Sequence, residues 1–248
     1  MSTKAVDDAA VASRSIVWVD DLDKQQKSDV LESTLFAQLA ADKQHSSESE
    51  QETLAWYKMY TDTLESIGWV VSGANFTAVD YNKAEGSIDD TVLEQLANDA
   101  TVSKSLYSSV ARAILALARA SDSEAEKVFD SASIASSSEF ASFQIAVASV
   151  DRGQVMLTLL AWFYSSNQQV DNALWFRWQN ATLSIKTSTL TMTLNSEIYA
   201  KVRAEIHDKL RDAGKLGLIV PLNWRGQTPC LLHGGEKSKG EMVHESPR

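Results

Sequence analysis

The side chains able to do chemistry are few and widely separated. Four histidines occur, His45, His207, His233 and His244. A metal centre needs three donors on rigid elements, and only His207, beside Glu205 and Asp208, falls on a predicted helix. Residues one or two apart do not share a helix face, so an ordinary surface histidine is expected there. Asp20-Asp21-Leu22-Asp23 is an acidic run without the glycine and distal glutamate of a calcium loop. It is read as a helix start, where acids complement the positive end of the helix dipole. Cys230, with His233 three residues on, would need a fold to preorganise it as a nucleophile, and its Gly, Lys and Pro surroundings predict a mobile segment. Arg177, Glu197 and His207 are candidates for a dispersed active site. Phosphate-binding signatures are missing: there is no GxxxxGK[ST], and Gly68, Gly73 and Gly86 are too far apart for GxGxxG.

Composition narrows the classes further. The chain has 248 residues, 44% of them hydrophobic, and can bury a substantial core. Its net charge of −10 argues against nonspecific nucleic-acid binding, which rests on Lys and Arg neutralising phosphates. The one cysteine excludes an internal disulfide and any multi-cysteine metal site. The acidic start of the chain does not read as a secretory signal, so Asn75-Phe76-Thr77 and Asn180-Ala181-Thr182 are set aside as glycosylation acceptors and a cytoplasmic location in the producing cell is expected, with non-classical release open. The longest apolar stretch, Val155 to Phe163, is interrupted by Thr158 and falls short of the ~20 residues of a membrane-spanning helix.

The elements that must position these residues change character near residue 140. Apolar residues recur at helical spacing over 22–42, 50–67, 89–98 and 101–120, with a shorter helix in 121–139. Leu54, Tyr57 and Leu64, with neighbouring Trp56 and Tyr60, are read as one wide apolar stripe of the second helix. From Phe140 the period becomes two. Ala141, Phe143, Ile145 and Val147 share a face, Asp151-Arg152-Gly153 turns the chain, and Gln154 to Tyr164 returns as a strand apolar on both faces, which needs cover on both. Strands follow in 174–179 and 183–194. Thr187, Thr189, Thr191 and Thr193 alternate with apolar residues, which suggests an edge strand. A closing helix from Asn195 or Ser196 carries Ile198, Val202, Ile206 and Leu210 at i, i+4 spacing and ends at Gly214. The expected architecture is a single α+β domain over 21–220. Its helical half, 21–135, packs on an antiparallel sheet with a closing helix, 140–214. A flexible lead (1–20) precedes it and a disordered tail (221–248) follows.

Seven tryptophans strengthen the core reading. Imperfect cover of a doubly apolar strand leaves room for a ligand. The candidate lining of such an apolar cavity is Phe143, Ile145, Leu157, Leu159, Trp162, Phe176 and Trp178.

The segment Trp56-Tyr57-Lys58-Met59-Tyr60 through Leu64-Glu65-Ser66-Ile67-Gly68-Trp69-Val70, followed by Phe76, resembles the Evf-type bacterial virulence factors. The resemblance covers about residues 20–220. It implies a protein without obvious catalytic residues that carries a fatty-acyl chain on a cysteine through a thioester and associates with membranes. This chain departs from that pattern, because residues 1–229 contain no cysteine; Cys230 is the one thiol to which a palmitate-like chain could attach. The expectation is a noncatalytic, toxin-like protein that binds a fatty-acyl chain or meets a lipid or membrane surface. Alternatives are an oligomeric scaffold and an enzyme built on the dispersed residues. No metal or other cofactor is implied.

Overall fold

The computed structural model describes residues 8–46, 48–72, 76–79, 84–120 and 123–222. It begins with two strands. β1 (Asp8–Ala12) and β2 (Ser15–Val19) form a hairpin, turned at Ser13 with a φ of 53°. The flexible lead expected over 1–20 is corrected from Asp8 onward, where all of β2 is buried, while residues 1–7 lie outside the described residues. Ile16 and Trp18 enter one core and Val17 and Val19 the other, so this short run needs cover on both faces.

Helices follow, most with a side-chain cap. α1 (Lys24–Asp42) starts at Asp23, whose carboxylate accepts from the Gln26 amide while the Gln26 side chain accepts from the Asp23 amide. The acidic run is thus a cap, and Asp20 is occupied by the Trp18 indole and the Ser109 hydroxyl. Ser49 caps α2 (Glu50–Ser66). β3 (Trp69–Ser72), β4 (Thr77–Val79) and β5 (Glu85–Ser87) come next. α3 (Ile88–Asn98) precedes α4 (Lys104–Ala118) and α5 (Glu124–Ser133), which Ser103 and Ser123 cap.

Three strands dominate the second half. β6 (Phe140–Asp151) and β7 (Gln154–Ser166) form a long hairpin. At its tip Arg152 and Gly153 both take positive φ, 49° and 81°, the geometry that matches a two-residue turn to strand twist. β8 (Arg177–Gln179) pairs with β5 in a separate ribbon. β9 (Leu183–Leu194) lies along β7, then α6 (Ser196–Asp212) closes the chain before β10 (Ile219–Leu222).

The fold is α+β, around a sheet ordered β10-β1-β2-β6-β7-β9-β3, with β4 also paired to β9. It is mixed rather than wholly antiparallel, since β2 runs parallel to β6. β9 is not an edge strand: β7 lies on one side, and β3 and β4 share the other. Two cores result. On one face Leu160, Trp162 and Tyr164 of β7 pack with Ala113, Leu117 and Phe129 of α4 and α5. On the other, Val155, Leu157, Leu159 and Ala161 meet Leu35, Trp56, Tyr60 and Ile206 from α1, α2 and α6. The doubly apolar strand is therefore covered twice, as its composition requires.

Each of two helix stripes loses one residue to solvent. Leu54 is 41% exposed, and the buried line of α2 is Thr53, Trp56, Tyr57, Tyr60 and Leu64. In α6 Ile198 is 46% exposed, and Tyr199, Ile206 and Leu210 are the buried residues.

Candidate functional site

The face under α1, α2 and α6 concentrates both polar and aromatic groups. α2 lays Trp56, Tyr57 and Tyr60 against strands whose facing residues include Ala146, Ala148 and Ala161. These small side chains leave depth for three large rings. Trp56 stacks on Tyr60 at 5.2 Å between centroids, and Tyr57 stands edge-on to Trp56 at 4.9 Å. The ring series continues from Tyr57 to Phe76 (4.8 Å), Phe163 (5.2 Å) and Phe140 (5.8 Å).

This series opens into a surface groove of about 370 Å³ between α2, β4 and β9. Leu54, Tyr57, Phe76 and Ala78 supply its apolar surface, and Lys58 and Lys186 stand at it as cations. Lys58 pairs with Asp62 one helical turn on, at 2.5 Å. Lys186 pairs with Glu50, and its ammonium lies 5.9 Å from the Phe163 ring centroid. An apolar trough with two ammonium groups suits an aliphatic chain ending in an anionic head.

Behind the groove lies a buried polar layer. Arg14, in the β1–β2 turn, is almost wholly enclosed; its guanidinium pairs with Asp42 at 2.9 Å and lies 4.5 Å from the Trp56 ring. The Trp56 indole donates to the same carboxylate at 2.7 Å. Burial lowers the Arg14 pKa, and Asp42 opposes that. Gln38 accepts from the Arg14 amide and donates to the Ala12 carbonyl, while Ser15 donates to Gln144 at 2.7 Å. Burial raises the Tyr57 and Tyr60 hydroxyl pKa values, so both rings stay neutral.

A second hollow, about 490 Å³, lies between α1 and α6 and holds Glu32, Arg203 and His207. Arg203 grips buried Asp29 through two bonds of 2.7 Å, and His207 sits 3.1 Å from Glu32. Each charged group is engaged by another, and Ser28, the hydroxyl in the hollow, donates to Glu32. The dispersed set is not assembled. Arg177 lies on β8, whose Trp178 belongs to the α3–α5 core, while Glu197 and His207 are ten residues apart on α6, about 15 Å along its axis.

The seven residues expected to line one cavity are all buried but divided. Phe143, Ile145, Trp162, Phe176 and Trp178 lie in one core, and Leu157 and Leu159 in the other. Phe143 stacks on Trp162 at 5.5 Å. Sequence reasoning does not gather Leu54, Lys58, Phe76 and Lys186 into one site, because α2, the run into β4, and β9 bring them together; Lys58 and Phe76 figure there within the segment that resembles the Evf-type proteins. Cys230 lies outside the described residues. Among the described residues no group of three His, Cys, Asp or Glu could hold a metal ion, and no helix is long and apolar enough to cross a membrane.

No family model matches the chain, and no curated protein does. Solved structures similar to it include a delta-endotoxin, 11% identical, covering 74% of this chain and 81% of that one at a TM-score of 0.39. Activated Cyt2Ba monomer from Bacillus thuringiensis subsp. israelensis is 15% identical over 74% of this chain and 97% of its own, at 0.42. The Evf virulence factor is 9% identical over 82% of each chain, at 0.35.

Proposed function

We propose that this is a noncatalytic, toxin-like protein that works at membranes by taking a fatty-acyl chain into the groove beside α2. The observation that carries this reading is the groove itself, with Leu54, Phe76 and Tyr57 below and Lys58 and Lys186 at its sides. Each methylene seated against such a surface contributes about 0.8 kcal/mol. A carboxylate head competes with Glu50 and Asp62 for the two ammonium groups, so seating exchanges one ion pair for another.

Displacement of fluorescent cis-parinarate by palmitate, with flotation on phosphatidylcholine vesicles, tests it. The full chain should bind palmitate reversibly, and Phe76→Asp, which puts a charge in the trough, should weaken binding at least about tenfold. Lys186→Glu should weaken it less. A chain that neither displaces the probe with palmitate nor floats would overturn the reading. Attachment at Cys230 is a separate proposal: hydroxylamine releases a thioester-linked chain and leaves groove binding intact.

A further inference from the structure

The face opposite the groove is only partly covered. Helices α3, α4 and α5 shield β10, β1, β2 and β6, and α3 reaches β7 as far as Trp162, whose indole donates to Gln95 at 3.1 Å. Beyond Leu160, Trp162 and Tyr164 of β7 and Leu183 and Ile185 of β9, among the described residues, the core on this face takes in no residue of β7, β9 or β3. The register fixes what lies there. Met156 stands opposite Thr193, and Thr193 opposite Val70. In the next row Thr158 stands opposite Thr191, and Thr191 opposite Ser72. Thr189 follows along β9 and is exposed, and Val70 is 60% exposed. Across these three strands the open face carries no charged side chain, in a chain with 23% charged residues and a net charge of −10.

We infer that this threonine face is a contact surface for a second copy of the same chain, packed sheet to sheet. The chemistry of the face selects the partner. Nucleic acid and anionic surfaces call for cations, and a bilayer-inserting face calls for a broad apolar or basic surface; this face has no cation, and Met156 and Val70 are its two apolar side chains among hydroxyls. Two copies that each carry −10 repel on any charged face, so an uncharged patch is where they can approach. Threonine is stiff at χ1, which keeps the ordering cost of such a contact low. Facing sheets pack about 10 Å apart with interdigitating side chains, and a two-fold axis near Thr191 would set each threonine row against its copy.

The size of the face sets the strength. Thr187 to Thr193 spans about 20 Å and three strands add roughly 15 Å, a footprint near 300 Å² per copy. A standard interface buries about 800 Å² per partner, so this dimer forms and dissociates with concentration.

Sedimentation equilibrium of the full chain from about 1 μM to about 1 mM tests it. The average mass should climb from 27.2 kDa toward twice that value. Thr191→Lys should weaken self-association at least tenfold with an unchanged unfolding midpoint, and Thr189→Arg should do the same from the neighbouring position. Thr191→Val should keep the dimer or tighten it. A wild-type mass that stays at 27.2 kDa overturns the inference. So does a dimer that survives both charged variants, which places the contact elsewhere, or a monomer whose vesicle flotation is lost on Thr191→Lys, which assigns the face to lipid.

Discussion

One sheet carries two unlike faces. Under α1, α2 and α6 the cover extends across the sheet, but polar groups are sealed inside it; Arg14 and Asp29, the charged residues that are buried among those described, both lie on that side, Arg14 against Trp56 and Asp29 against Arg203. Under α3, α4 and α5 the core is apolar and mixes small side chains, Ala113, Ala116 and Ala141, with large rings such as Trp18, Phe129, Phe143 and Trp162, and on β9 it takes in Ile185 but none of Thr187 to Thr193. Completeness of cover and dryness of packing are therefore separate properties. The first depends on how many helices a face receives. The second depends on whether the strand turns beneath them bring polar groups inward, as the Ser13-Arg14-Ser15 turn does.

The comparison breaks hardest at the Arg14–Asp42 ion pair. Asp42→Ala leaves the buried Arg14 guanidinium without its carboxylate; breaking a fully buried pair costs about 3–5 kcal/mol, and because a third of the Asp42 side chain is exposed the loss here should fall at the lower end of that range. Replacing both partners, Arg14→Met with Asp42→Leu, removes the charge and its penalty together and should recover most of that loss. Urea unfolding of the single and double variants checks this. Equal destabilisation by both would mean that shape rather than charge holds α1 to the β1–β2 turn.

On the other face the corresponding test adds volume. Ala113→Leu adds three heavy atoms in the close approach of α4 to the sheet, and overpacking of this kind costs about 1–3 kcal/mol. Ala113 is fully buried, so no solvent-facing rotamer relieves it. A neutral result in thermal unfolding would show that the α3–α5 layer is loosely packed and that the two faces are more alike than their residues suggest.

Much of this layout was legible in the chain. The shift of period at Phe140, the turn at Arg152-Gly153 and the double apolarity of β7 report local backbone geometry and burial, which neighbouring residues encode. The N-terminal strands were not legible, because DAAVA and SIVWV are short and β2 finds its partner at β6, more than 120 residues away. The threonine alternation of β9 reports one wet face, and a strand can have a wet face inside a sheet as well as at its edge. The groove had still less signal: Lys58 and Lys186 are ordinary surface lysines until α2 and β9 stand side by side.

A pH scan sharpens the boundary between the faces. Asp130 of α5 accepts the Ala173 amide at 2.9 Å and the Asn172 side chain at 2.8 Å, holding the loop that leads to β8. Burial raises its pKa from 3.8 to about 6; the Ala173 bond pulls the other way, and Glu126 and Asp171 add to the rise. With the folded value above the unfolded one, the folded chain binds more protons between about pH 4 and 6. The contribution is therefore fully present below the unfolded value and is lost as pH rises through about 6. Asp130→Asn should flatten that part of the stability curve in urea titrations at pH 4–7, and solvent screening of a half-exposed group keeps the effect modest. Parallel curves for the two proteins would remove Asp130 as the titrating group.

The smallest expected effect falls on the open face. Thr189 is exposed and pairs across to Leu160, whose side chain points into the covered core two rows from Met156. Lysine at 189 keeps its ammonium in water and loses only some strand preference, so Thr189→Lys should move stability by less than about 0.5 kcal/mol. The same change directed at the groove side, Ser188→Lys, drives a charge toward the α2 core and should cost several times more, because Ser188 is buried. Adjacent residues of one strand then report opposite environments in a single pair of unfolding curves. If the two variants are equally tolerated, β9 is not covered on the α2 side; if both are severe, the threonine face is covered in the free monomer and self-association has no open surface to use.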